Sequence, residues 1–166
     1  MAEIEGLAHL LDALPQVGTV RWIGLSPGRR QPINEVERVL CEVGTGLVGD
    51  RHALSGRGKR QVTLIQHEHF AAIASMAGRD GVAPSELRRN IVVSGLNLLA
   101  LKGKTFRVGQ AMLEYTGLCD PCSRMEETLG EGGFNAMRGH GGITARVLEA
   151  GEIAVGDSVQ WTGRAS

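Results

Sequence analysis

The sequence predicts a mainly β fold, a barrel-like closure of short strands with a few α-helices attached. Three observations carry that expectation. Glycine is abundant, at 24 of 166 residues, as where tight turns separate short strands or backbone passes close to a ligand. Short apolar or alternating segments recur between those glycines. Only a few stretches carry the i, i+3, i+4 spacing of a helical face. Hydrophobic content of 42% and charged content of 22% suit a globular chain, and the length suits one domain with a small addition.

Taken in order, Ile4, Leu7, Ala8 and Leu11 share one helical face and Pro15 ends it, so residues 1–15 read as an amphipathic docking helix. Residues 16–162 then form the domain proper. "GTVRWIGLSP" (18–27) reads as a strand closed by the Pro27-Gly28 turn. "INEVERVLCEVG" (33–44) fits strand or helix equally. "GTGLVGDRHALSGRGKR" (44–60) reads as an exposed loop, and "QVTLI" (61–65) as a strand. Phe70, Ile73, Ala74 and Ala77 space as a helix that Gly78 closes. "NIVVSG" (90–95) predicts a fully buried strand, "AMLEYT" (111–116) a half-buried one, and residues 141–161 three more short strands. There is no internal repeat or long linker.

A formal net charge of zero argues against a surface built for nucleic acid or anionic membrane. The basic stretch "GRGKR" (56–60) then reads as a solvated face. No apolar run approaches the ~20 residues of a membrane helix. The first residues carry two glutamates and no basic n-region, so they do not read as a signal peptide. Three cysteines at uneven spacing predict a reducing, cytoplasmic setting rather than a disulfide framework.

"TGLCDPCSRMEE" (116–127) holds two of those cysteines. Ser123 to Glu126 has the pattern of a capping box, which would set Cys122 just ahead of a short helix. Helix N–H groups and the nearby Arg124 would there favour a thiolate. Cys119 belongs to the end of the preceding strand, before the Asp120-Pro121 turn. Other readings stand beside this one. A zinc site would need further ligands, and His67 and His69 of "QHEHF" point to different faces at i, i+2. A dithiol redox pair usually sits in a βαβ fold. Two small side chains filling space would need no chemistry at all.

Four motifs in this order resemble the MOSC domain, the module named for the carboxy-terminal part of molybdenum cofactor sulfurase. They are "GLVGDRH" (46–52), "LRRNIVVSG" (87–95), "LKGKTFRVGQAMLEYTGLCDPC" (101–122) and "RGHGGITARVLEAGEIAVGDSV" (138–159). The likeness runs from about Val17 to Val159 and is nearest to the small standalone bacterial members. A more distant one is to the mitochondrial amidoxime-reducing component. The resemblance implies binding of molybdenum cofactor, a pterin whose dithiolene holds the metal, with Cys122 as a further sulfur ligand and Cys119 as second choice. It implies phosphate and pterin contacts from Arg88, Arg89 and Asn90, since an arginine fork suits phosphate and an amide suits pterin. It adds Lys59 and Arg60 at the cofactor mouth. Arg138, Gly139, His140, Gly141 and Gly142 would form a close-approach turn with an anion nest. Asp50, Arg51 and His52 are weaker candidates, because histidine on a glycine-rich loop is more often only exposed.

The function so implied is a molybdenum cofactor-dependent reductase of N-hydroxylated small molecules. Electrons would come from a protein partner, because the chain has no dinucleotide, flavin or iron–sulfur motif. Two alternatives remain: a carrier that holds the cofactor without turnover, and a sulfur relay through a cysteine persulfide fed by a sulfur donor. Pyridoxal phosphate, which serves the larger sulfurase, is not expected to bind here. The first helix offers a surface for homo-oligomerisation.

Overall fold

The computed structural model describes residues 2–51 and 58–163. Its strands are β1 (Gly18–Leu25), β2 (Asn34–Val36), β3 (Arg38–Glu42), β4 (Gly46–Leu47), β5 (Val62–Gln66), β6 (Ile91–Ser94), β7 (Thr105–Val108), β8 (Ala111–Leu118), β9 (Ile143–Glu149), β10 (Gly151–Ala154) and β11 (Ser158–Gln160). The helices are α1 (Ala2–Leu11), α2 (Phe70–Met76), α3 (Pro84–Leu87), α4 (Arg124–Leu129) and α5 (Gly133–Met137), with two 3₁₀ turns at His67–His69 and Leu98–Leu101.

Seven strands close a barrel in the order β1-β11-β7-β8-β9-β5-β6 and back to β1. Closure leaves no open edge in the main wall. β2 continues along the far half of β1, and β10-β3-β4 form a second, smaller sheet. β5 and β6 are the parallel pair, with Leu64 opposite Ile91. Parallel neighbours need a long crossover, and residues 67–90 supply it through α2 and α3. This explains why those strands read as continuous apolar runs: both faces are covered. Leu64, Ile91 and Val93 point into the barrel core, while Ile65 and Val92 face a second cluster with Ile73, Leu87 and Met125. Each such side chain, fully buried, contributes about 1.5–3 kcal/mol.

Residues 33–44, open between strand and helix in the sequence, form β2 and β3, whose long-range partners β1 and β10 decide the matter. The expected exposed loop at 44–60 is corrected at its start. β4 is buried there and Asp50 is fully buried, because that stretch packs against β3 and the end of β1. β7 was not anticipated. The first helix, α1, is held at its end by Lys104, which donates to the Leu11 carbonyl at 3.0 Å and lies 3.5 Å from the Asp12 carboxylate. The same ammonium sits 4.8 Å above the Trp161 ring. Leu7, Leu10 and Leu11 remain exposed. Among the described residues, no helix is long and apolar enough to cross a membrane.

Cys41 lies fully buried on β3. Burial, helped by Glu42, pushes its thiol up to about 12. Native protein at pH 8 is therefore expected to leave Cys41 unalkylated by iodoacetamide, with reaction only on denaturation, as peptide mass mapping would show. Modification at a rate matching an exposed thiol would contradict the buried placement.

Candidate functional site

Arg88, Arg89 and Asn90 sit between α3 and β6, and the backbone there sends each side chain a different way. Arg88 ends α3 in the left-handed region, at φ 56° and ψ 33°. That conformation usually falls to glycine at a helix end and costs an ordinary residue roughly 1–2 kcal/mol. The turn aims Arg88 at a cleft of about 230 Å³, where its Nη2 donates to Ser26 Oγ at 3.2 Å and to the Gln31 carbonyl at 3.1 Å. Burial and the guanidiniums of Arg124 and Arg51 hold Arg88 below its usual range, while Cys122 acts in the opposite direction. Arg51, Arg124 and Cys122 therefore share the neighbourhood of Arg88.

The cleft is lined by Arg51, Arg60, Arg88, Arg89 and Arg124 against two acids, Asp50 and Asp120. A protein of zero formal net charge thus carries a local excess of positive charge in this cleft. Arg51 Nε is buried without a hydrogen-bond partner among the described residues. An orphaned buried donor costs about 1–3 kcal/mol, and an anion in the cleft would relieve it. Exposed Cys122 opens onto this cleft; Cys119 lies deeper at its wall. Burial pushes the Cys119 thiol up, with Arg89 and Arg60 opposing and Asp120 and Cys122 reinforcing the shift.

Several expected ligand contacts turn out to be architecture. The Asn90 amide accepts from the Thr63 N–H (3.0 Å) and hydroxyl (3.1 Å) and donates to the Gly24 carbonyl and Asp50 Oδ1, both at 3.1 Å. All four of its hydrogen-bonding positions are used inside the chain. Asp50 in turn accepts from the Ser26 N–H at 2.8 Å. Arg89 is buried and donates to the carbonyls of Gly141 (2.8 Å), Leu87 (3.2 Å), Asp120 (3.3 Å) and Cys119 (3.4 Å). It braces the cysteine segment against the 138–142 turn.

That turn serves packing as well. A side chain at Gly141 would strike the Cys119 carbonyl, and one at Gly142 the Leu64 carbonyl. The Cys119 N–H donates to the Gly142 carbonyl at 2.8 Å. Gly139, His140, Gly141 and Gly142 line a neighbouring cavity rather than the Cys122 cleft, and Arg138 lines neither. Lys59 is exposed and outside the cleft lining, although its carbonyl accepts from Thr116 Oγ1 at 2.9 Å. His52 lies outside the described residues. The capping box is corrected too. Ser123 takes helical backbone angles and its hydroxyl caps nothing, while Glu126 accepts from the Gly132 N–H at 2.7 Å, at the start of α5. From sequence alone Arg51 is a weak candidate and Arg124 only an aid to the thiolate, yet both line the cleft. The sequence does not foresee the His69–His140 contact, whose residues lie 71 apart.

A closed mixed barrel carrying an arginine-lined cleft with one exposed thiol defines the class. The chain belongs to the MOSC domain family, whose model matches residues 50–160. Solved structures share the fold. The YuaD protein of Bacillus subtilis superposes with a TM-score of 0.75 at 19% identity, over 88% of this chain and 96% of that one. YiiM of Escherichia coli gives 0.68 at 18% identity, over 89% and 71%, and YiiM of Geobacillus stearothermophilus gives 0.69 at 18%, over 89% and 76%. A search of curated proteins found no match.

Proposed function

We propose that this chain binds molybdenum cofactor in the Cys122 cleft and reduces N-hydroxylated small molecules there, with electrons from a partner protein. The observation that carries this is the donor set: one exposed thiol, Cys122, among arginines, one with an orphaned buried Nε. Such a lining repels a bare metal cation and attracts a metal that arrives within an anionic complex. Thiolate sulfur suits a metal already held by sulfur. The residues present thus fit the group.

When bound, the cofactor supplies the two-electron oxygen-atom chemistry that side chains lack. Cys122 holds the metal through sulfur. Arg51, Arg88 and Arg124 pair with the anionic part of the pterin, and Arg60 extends the positive rim. Asn90 and Arg89 act at one remove, keeping the walls in register.

The test is expression in a host that makes the cofactor, followed by metal analysis and an assay with an artificial electron donor. Stoichiometric molybdenum and turnover of a hydroxylamine are expected. Molybdenum without turnover would leave a carrier. No molybdenum, with persulfide on Cys122, would replace the proposal by sulfur relay.

A further inference from the structure

A second cavity, of about 220 Å³, lies against the other side of the Cys119–Asp120 segment, which both cavities share. Leu98, Leu99, Leu118 and Ile143 give it apolar walls. Gln66, also on its lining, is committed: its Oε1 accepts from the Leu98 N–H at 2.9 Å and its Nε2 donates to the Leu96 carbonyl at 3.0 Å. The notable polar feature is a histidine pair. His69 Nδ1 and His140 Nδ1 are 3.2 Å apart, with the rings edge to face at 4.9 Å.

One bond between two Nδ1 atoms fixes the state of the remaining nitrogen on each ring. The ring that donates through Nδ1–H carries a bare Nε2, an acceptor. The ring that accepts must hold its proton on Nε2, a donor. The neutral pair therefore offers one donor and one acceptor, and the assignment can swap between rings. Burial above all, with His140 beside it, holds His69 below its ordinary range, Glu68 opposing. Neither Nε2 has a hydrogen-bond partner among the described residues.

We propose that this cavity seats a small, neutral, flat organic molecule whose polar end carries a donor beside an acceptor, as an amide or N-hydroxy group does. Its apolar body lies against Leu98, Leu99, Leu118 and Ile143. The volume falls below the ~300–1,000 Å³ of sites for drug-sized ligands, so the occupant is about one ring in size. Its role as the substrate seat rests on the cofactor reading of the adjacent cleft; its existence as a binding pocket does not.

The experiment titrates the full-length, cofactor-free protein with benzamide and follows the imidazole signals of His69 and His140 by NMR. Saturable shifts at both rings are expected, with N,N-dimethylbenzamide and benzoate at least tenfold weaker because each lacks the donor. His140→Phe should cost at least tenfold in affinity, and His140→Gln, which keeps a donor and an acceptor, should recover part of it. Amide spectra of both variants verify the fold. Cys122→Ser should leave benzamide binding unchanged. Retained binding in a protein that never loads molybdenum upholds the pocket and sinks only the cofactor reading. Absent binding, or binding indifferent to both His140 variants and to the probe's donor, overturns the pocket.

Discussion

Asn90→Leu is expected to lower the unfolding free energy of the cofactor-free protein by roughly 3–9 kcal/mol, read as a fall in the denaturant midpoint. The change removes the acceptor for the Thr63 N–H, the donor to the Gly24 carbonyl and one donor to the buried Asp50. Each buried group so deprived costs about 1–3 kcal/mol. The sum is a large share of the ~5–15 kcal/mol that holds a typical domain folded. The three partners belong to β5, to β1 and to the segment after β4, so the amide joins parts of the chain that no single strand pairing joins. A loss below about 1 kcal/mol would show that the amide is not structural and is free to meet a ligand, as the sequence suggests. Measuring without cofactor keeps the two roles apart.

What could be read in advance follows from the range of the interactions involved. β5 and β6 were legible because apolar residues on both faces leave their mark on the sequence itself. β7 was not: its buried positions, Phe106 and Val108, alternate with Thr105 and Arg107 over only four residues, beside Lys104. Arg107 is occupied on the outer face by Glu149, at 3.0 Å, a partner 42 residues away. β2 and β3 were undecided for the same reason, since strand partners distant in sequence, not local spacing, settle them.

The site divides along the same line. "LRRN" could be recognised as a motif, yet the motif does not say which residue faces the cleft. The left-handed turn at Arg88 separates the three side chains, and their partners lie 27 to 66 residues away for Asn90. The motif suggests that Gly141 and Gly142 make room for a ligand, whereas what comes close to them is the chain's own backbone at Cys119 and Leu64. Ser123 and Glu126 had capping-box spacing, but Glu126 found the Gly132 N–H, which the φ of +87° at that residue presents. A local motif predicts well only when no distant donor competes for the same atom.

Cys122→Ser is expected to reduce bound molybdenum by far more than tenfold in protein from a cofactor-producing host, whereas Cys119→Ser should keep most of it. Changing groups that merely orient a metal ligand costs about 10–100-fold in affinity; removing the ligand itself should exceed that. Two structural differences set the asymmetry. Cys122 is exposed to the arginine-lined cleft. Cys119 has its thiol pushed up by burial, which keeps it protonated at neutral pH, and its contribution to the wall runs through its backbone, N–H to Gly142 and carbonyl to Arg89. Serine at 119 preserves both backbone bonds, so the wall should survive the change. Iodoacetamide offers a check without metal: at pH 7.5 the folded protein should be modified at Cys122 well before Cys119. Equal loss of molybdenum in the two serine variants would instead mean that the sulfurs act as a pair, and the single-ligand site would have to be abandoned.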